Sequence, residues 1–151
     1  MGFSMNIKKL REGAVLPTYG SKGAAGMDLY ACLDESQTET QTIAAGDTAF
    51  IKTGVAVAIP EGYVGLIFAR SGLSCKEGLA PANKVGVIDS DYRGELIVAL
   101  HNHSKEEKSI AHGDRIAQLV IMPFEQVVLN EVEDLDETER NAAGFGSTGR
   151  N

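Results

Sequence analysis

The chain has 151 residues, with 21 acidic and 14 basic side chains and a formal charge of −7. That length points to one domain, residues 1–151, with a single core. Apolar residues make up 43% and charged residues 23%, the composition of a soluble globular protein, and no apolar run approaches the roughly 20 residues that cross a bilayer.

The charge is not spread evenly. Glu131, Glu133, Asp134, Asp136, Glu137 and Glu139 lie close together without a Lys or Arg between them, and the rest of the chain is nearly neutral. A protein that tracks nucleic-acid backbones shows a basic excess or stripe, and none is present, so neither nucleic acid nor membrane is an expected partner. A small anionic ligand is still allowed, because a few arginines and backbone amides suffice to bind it.

Met1 to Ser4 precede a second possible start at Met5 and can be added sequence. No long apolar leader follows, so an intracellular, cytoplasmic location is expected. Gly23-Ala24-Ala25-Gly26 is a glycine-rich entry to Met27-Asp28-Leu29. Residues 33–47 are polar and turn-rich and read as a surface connection. Short β-branched runs broken by glycines then favour an all-β domain. Thr48 to Ile59 reads as strand with a bend or bulge at Gly54, Pro60-Glu61-Gly62 as a turn, and Tyr63 to Phe68 as the next strand.

Helix is expected only over Leu73 to Gly78. Leu96 to His103 and Ile116 to Met122 are the strongest strands, and Val127 to Val132 is a weaker one. Residues 133–151 form a C-terminal arm that cannot bury enough surface to order itself and is expected to be flexible unless bound.

Cys32 and Cys75 are far apart and outside any CxxC pattern, which argues for free thiols. His101-Asn102-His103 places two imidazoles on one strand face without an acidic or sulfur ligand nearby, a poor zinc pattern. His112 reads as a turn residue.

Four stretches carry more chemistry. Arg70-Ser71-Gly72 follows a strand, and fits either a phosphate seat or an ordinary Ser N-cap. Asp89-Ser90-Asp91-Tyr92-Arg93-Gly94 has the residues of a hairpin loop, yet two carboxylates and a tyrosine at a strand end also suit water activation and ring stacking. Gly113-Asp114-Arg115-Ile116-Ala117-Gln118 is a turn entering a strand that carries an Arg and a Gln. Gly144 to Gly149 is a literal G-x-G-x-x-G, but it opens no helix in a βαβ unit and has no Walker lysine. What remains there is a strip of free amides and hydroxyls with one aromatic, Phe145, flanked by Arg140 and Arg150.

Taken in order, AAGMDLYA (24–31), RSGLS (70–74), the stretch from Asn83 through GVIDSDYRGEL to Leu96, GDRIAQLVI (113–121) and RNAAGFGSTG (140–149) resemble the five motifs of the homotrimeric dUTPase family. The resemblance spans about residues 14–150. Ala69 stands where Pro or Gly is common in the family, and Lys84 where a small residue often sits.

The resemblance implies a distorted jelly-roll β-barrel with one short helix. It also implies a homotrimer with active sites at subunit interfaces, each closed by the arm of another subunit. The implied reaction is Mg2+-dependent hydrolysis of dUTP to dUMP and pyrophosphate, which limits uracil incorporation into DNA and supplies dUMP for thymidylate synthesis. Asp89 is implied as the general base. Asn83 and the backbone of Val85, Gly86, Val87, Ile88 and Ile97 resemble the hairpin that reads uracil, with Tyr92 beneath the deoxyribose and Phe145 stacked on the base.

Arg70, Ser71, Gly72 and Gln118 resemble the phosphate seat, and Arg140, Gly146, Ser147 and Thr148 the closing contacts on the outer phosphates. Mg2+ is implied to be held by phosphates and water, with no direct protein ligand and Asp28 at most an outer-shell acid. Arg115 is expected to be a structural ion-pair partner. A dCTP deaminase relative and a non-catalytic trimeric binding protein with the same fold are the alternatives.

Overall fold

The computed structural model describes residues 3–33 and 40–142. Twelve strands and one helix form among the described residues: β1 (Asn6–Lys9), β2 (Thr18–Tyr19), β3 (Met27–Tyr30), β4 (Thr40–Ile43), β5 (Thr48–Lys52), β6 (Val55–Ala58), β7 (Tyr63–Phe68), α1 (Ser71–Glu77), β8 (Leu79–Pro81), β9 (Gly86–Ile88), β10 (Ile97–Asn102), β11 (Lys108–Ala111) and β12 (Arg115–Pro123). They pair into four small sheets ordered β1-β6, β5-β10-β8, β11-β4 and β2-β3-β12-β7-β9. The architecture is mostly β and jelly-roll-like, as expected, but among the described residues the hydrogen-bonded ladders do not close into one barrel.

The alternation of β10 explains the core. Val98, Leu100 and Asn102 point inward, and Leu29, Ile51, Leu96, Ile110, Ile116 and Leu119 are buried around them. Each such Leu or Ile contributes about 1.5–3 kcal/mol on burial. Asn102 and Thr53 are buried polar residues here, and the Asn102 amide is fully used. Its Nδ2 donates to the carbonyls of Ile43 (2.9 Å) and Glu106 (2.8 Å), while its Oδ1 accepts from Ser104 N–H at 3.0 Å and Oγ at 2.7 Å. In β12 a register shift between Arg115 and Ala117 lets both Ile116 and Ala117 face inward, the effect of a bulge on side-chain alternation.

The expected bend at Gly54 is present. Its φ of +69° lies in the left-handed region that glycine adopts without steric cost. There the chain leaves the β5-β10 ladder and enters β6, which pairs with β1. The strand from Tyr63 to Phe68 and the strands around Leu96–His103 and Ile116–Met122 form as read, with ends shifted by a residue or so.

Four expectations fail. Residues 33–47 are not all connection: β4 pairs with β11 and buries Ile43. Val127 to Val132 forms no strand. It has no partner strand among the described residues, and Val127, Val128 and Leu129 are 75%, 95% and 90% exposed. The loop after Ile88 is not a hairpin, because β9 pairs with β7 while β10 pairs with β5 and β8; it crosses between two sheets. The stretch from Asn83 to Ile88 is likewise no paired hairpin. A turn closed by Lys84 N–H to Pro81 O at 3.0 Å precedes it, with Lys84 itself at φ +65°.

Candidate active site

Two groups of the expected site residues lie in the described structure. The first is built by β3, β12 and β7, which run side by side. Gln118 on β12 is opposite Asp28 on β3 and Phe68 on β7, and the chain leaving β7 carries Ala69 and Arg70. Adjacent strands lie about 4.8 Å apart, so residues from three distant motifs meet here. Arg70 Nε donates to Asp28 Oδ1 at 2.8 Å, Arg115 Nη1 reaches Asp28 Oδ2 at 3.4 Å, and Arg70 Nη1 donates to the Arg115 carbonyl at 3.2 Å. Gln118 Nε2 donates to the Ala69 carbonyl at 2.8 Å.

Asp28 therefore holds two guanidinium groups beside each other, which fixes the forks that suit bidentate recognition of an anion. Gly26 is part of the same device. A Cβ there would sit 2.7 Å from Gln118 Oε1 and 3.3 Å from Gln118 Cβ, so only glycine lets Gln118 lie where it does. Ser71 and Gly72 form the first turn of α1, both exposed. The N-cap is Arg70, without a side-chain capping bond, so the ordinary Ser cap considered for Ser71 is absent.

The second group is the loop 89–96 with its flanks. Val85, Val87, Tyr92 and Ile97 are exposed apolar side chains on or beside β9 and β10. Gly86 is buried, and a Cβ on it would meet Ile67 Cβ at 3.3 Å and Asn83 Nδ2 at 3.5 Å; Ile88 is half-buried. Tyr92 N–H donates to the Asp89 carbonyl at 3.2 Å, and Tyr92 Oη donates to the Glu95 carbonyl at 2.9 Å. Arg93 Nη1 donates to the carbonyls of Ser90 (2.6 Å) and Tyr92 (2.9 Å). Amid this bonding the Asp89 carboxylate is exposed and accepts no hydrogen bond from any described residue.

Among the described residues no side-chain hydrogen bond or ion pair joins the two groups, although β9 pairs with β7 in the same sheet. Arg140 lies on the exposed arm, and Phe145, Gly146, Ser147 and Thr148 lie outside the described residues. His101 is held by Thr48, Oγ1 to Nδ1 at 3.0 Å, and lines with His103 and Lys84 a cleft of about 380 Å3 beside α1. His112 sits in a turn and its Nδ1 accepts from Leu33 N–H at 3.2 Å. Cys32 is buried and Cys75 exposed, and neither forms a disulfide among the described residues.

Two contributors escape sequence reading. Glu95 Oε2 accepts from Arg11 Nη2 at 2.9 Å, and Glu95 Oε1 accepts from Gly54 N–H at 2.8 Å. No local pattern marks a pair 84 positions apart.

The dUTPase family matches residues 12–149 of the chain. The deoxyuridine 5'-triphosphate nucleotidohydrolase of Syntrophotalea carbinolica is 48% identical over 146 residues, covering 97% of both chains. That of Burkholderia mallei is 44% identical over 151 residues, covering 99% of both. Among solved structures, a variant of the Staphylococcus bacteriophage 80alpha dUTPase with dUpNHpp superposes with a TM-score of 0.86 at 33% identity, covering 97% of this chain and 98% of that one. A variant of the dUTPase from phage phi11 of S. aureus, described with a structural Mg(II) ion, gives a TM-score of 0.77 at 32% identity over 87% of this chain and 98% of that one. The five ordered motifs, the jelly-roll-like fold and these relatives agree, and the chain belongs to the dUTPase family.

Proposed function

We propose that this chain is a dUTP diphosphatase, hydrolysing dUTP to dUMP and pyrophosphate, with Asp89 as the base. The observation that carries the residue assignment is the state of Asp89. Asp28 is occupied by two arginines, Glu95 by Arg11 and Gly54, and Asp114 by the N–H of Ala111 at 2.8 Å, whereas Asp89 and Asp91 are both exposed, and the match to the third family motif selects Asp89 of the two. The Asp89 carboxylate is left open beside exposed apolar side chains, where a water can come within the hydrogen-bond reach that a general base requires.

In this reading Asp89 takes a proton from water as the water oxygen bonds to the α-phosphorus. The bond from that phosphorus to its bridging oxygen breaks, and pyrophosphate leaves. Arg70, Ser71, Gly72 and Gln118 hold the phosphates, while Arg140, Gly146, Ser147 and Thr148 of the arm close over them. Asn83 and the backbone of Val85, Gly86, Val87, Ile88 and Ile97 face uracil, Tyr92 lies under the sugar and Phe145 covers the base. Such positioning and charge stabilisation dominate phosphoryl transfer.

A bound Mg2+ would neutralise phosphate charge. Among the described residues no three His, Cys, Asp or Glu side chains are grouped to hold a metal, and both oxygens of Asp28 already face guanidinium groups. This donor set fits an ion that keeps water and substrate phosphate as ligands, with Asp28 reached through water.

We also propose that residues 1–151 act as one domain in a homotrimer, the cationic group of one subunit facing the Asp89 loop of another. The exposed Val127, Val128 and Leu129 support this, since contiguous apolar surface favours a partner. No helix among the described residues is long and apolar enough to cross a membrane.

The test is pyrophosphate release with Mg2+ from dUTP, dTTP, dCTP and UTP. Release from dUTP alone is expected. Ammonia from dCTP, or no turnover of any nucleotide, would overturn the reading in favour of a deaminase or a binding protein.

A further inference from the structure

We infer that Glu95, gripped by Arg11, is a positioning residue that sets where the loop 89–96 presents Asp89 and Tyr92; this rests on the roles proposed above for those two residues. The loop joins strands of different sheets, so no ladder of its own fixes its shape. Its trailing end is fixed from outside instead. The Glu95 carboxylate, 12% exposed, accepts from Arg11 Nη2 at 2.9 Å and from Gly54 N–H at 2.8 Å.

Those two anchors are themselves tied together, because Leu10 N–H donates to the Gly54 carbonyl at 2.8 Å. Gly54 has little freedom to shift: its φ is +69°, and a Cβ on it would meet Ala14 Cβ at 2.7 Å and Cys32 Sγ at 2.9 Å. Three segments distant in sequence thus close a small ring of bonds around one carboxylate. Charge-assisted bonds of this kind are the strong ones when partly buried.

From that ring a short relay leads to the base. The Glu95 carbonyl accepts the Tyr92 hydroxyl at 2.9 Å, and Tyr92 N–H donates to the Asp89 carbonyl at 3.2 Å. The Tyr92 ring lies across Gly94, where any Cβ would run into it. The backbone at Leu96 is already held without Glu95, by Leu96 N–H to Val55 O at 2.9 Å and Thr53 N–H to Leu96 O at 3.2 Å. Leu96 N–H shares one planar peptide with the Glu95 carbonyl, so what the Glu95 side chain adds is a second anchor, through its own Cα, for the peptide that receives Tyr92.

The test uses the full chain with Glu95→Ala, Glu95→Gln, Arg11→Met and Arg11→Lys, reading kcat and KM for dUTP alongside Tm. Glu95→Ala and Arg11→Met are expected to lower kcat about 10- to 100-fold, the scale of a small misplacement of reacting groups, with KM within about threefold. Glu95→Gln keeps an acceptor for Gly54, and Arg11→Lys keeps the charge, so both should recover part of the loss. If Glu95→Ala does not fold, the Gln and Lys variants decide by the same kcat criterion. A lowered Tm with kcat intact, or a rise in KM alone, would overturn the inference. Loss of turnover in Asp89→Asn with normal turnover in Glu95→Ala overturns this inference alone, whereas Asp89→Asn at full rate overturns the assignment of the base as well.

Discussion

Gly26→Ala is the smallest change that reaches the cationic group without touching a charge. The added methyl would lie 2.7 Å from Gln118 Oε1, 3.3 Å from its Cβ and 3.4 Å from its Cδ. No Cβ tolerates 2.7 Å, and the other two distances leave the Gln118 stem little room, so the side chain has to swing away. The bond from Gln118 Nε2 to the Ala69 carbonyl at 2.8 Å is then lost, costing about 1 kcal/mol. Residual crowding adds about 1–2 kcal/mol. Together these give about 2–3 kcal/mol, which in a chain of this size lowers Tm by about 4–12 °C. Ala69 adjoins Arg70, so kcat/KM for dUTP should also fall, by about tenfold. Thermal melts at fixed protein concentration and pyrophosphate-release kinetics measure both. The double variant Gly26→Ala/Gln118→Ala should recover part of the Tm and none of the activity. Gly26→Ala with unchanged Tm and unchanged kcat/KM would refute the steric argument.

Tyr92→Ala should let UTP compete better against dUTP, measured as the ratio of kcat/KM values; an unchanged ratio removes Tyr92 as the ribose filter. Deleting residues 140–151 should leave the chain folded and assembled by sizing chromatography while abolishing efficient hydrolysis, and full activity would end the closing role of the arm. Chelation by EDTA should depress turnover and added Mg2+ restore it, whereas indifference to chelator would contradict a phosphate-bound ion.

The apolar runs made Tyr63–Phe68, Ile97–Asn102 and Arg115–Pro123 legible, because continuous β-branched stretches between turn residues have few other uses. The strands Asn6–Lys9, Thr18–Tyr19, Met27–Tyr30, Thr40–Ile43 and Lys108–Ala111 were not, since they are short and depend on partners far along the chain. The same dependence explains Val127 to Val132, which has the residues of a strand and no described strand to pair with. Asp89 to Gly94 carried turn chemistry, but turn residues do not reveal whether the flanking strands pair with each other. At the candidate site, Asp28, Arg70, Arg115 and Gln118 stood in recognisable motifs, and the β3-β12-β7 register brings them into contact. Glu95 stood in the third motif and Arg11 in none, and nothing local paired them; only the folded chain brings them together.

In the proposed homotrimer, one site needs the cationic group of one subunit and Asp89 of another. Arg70→Ala and Asp89→Asn should each be nearly inactive on dUTP, the latter losing about 10²–10⁴ in kcat. Co-refolding the two in equal amounts is the direct measurement. Random trimers would hold both intact groups at about a quarter of their sites, so pyrophosphate release should return to roughly that fraction of the wild-type rate. A mixture as idle as its parents would contradict the shared site.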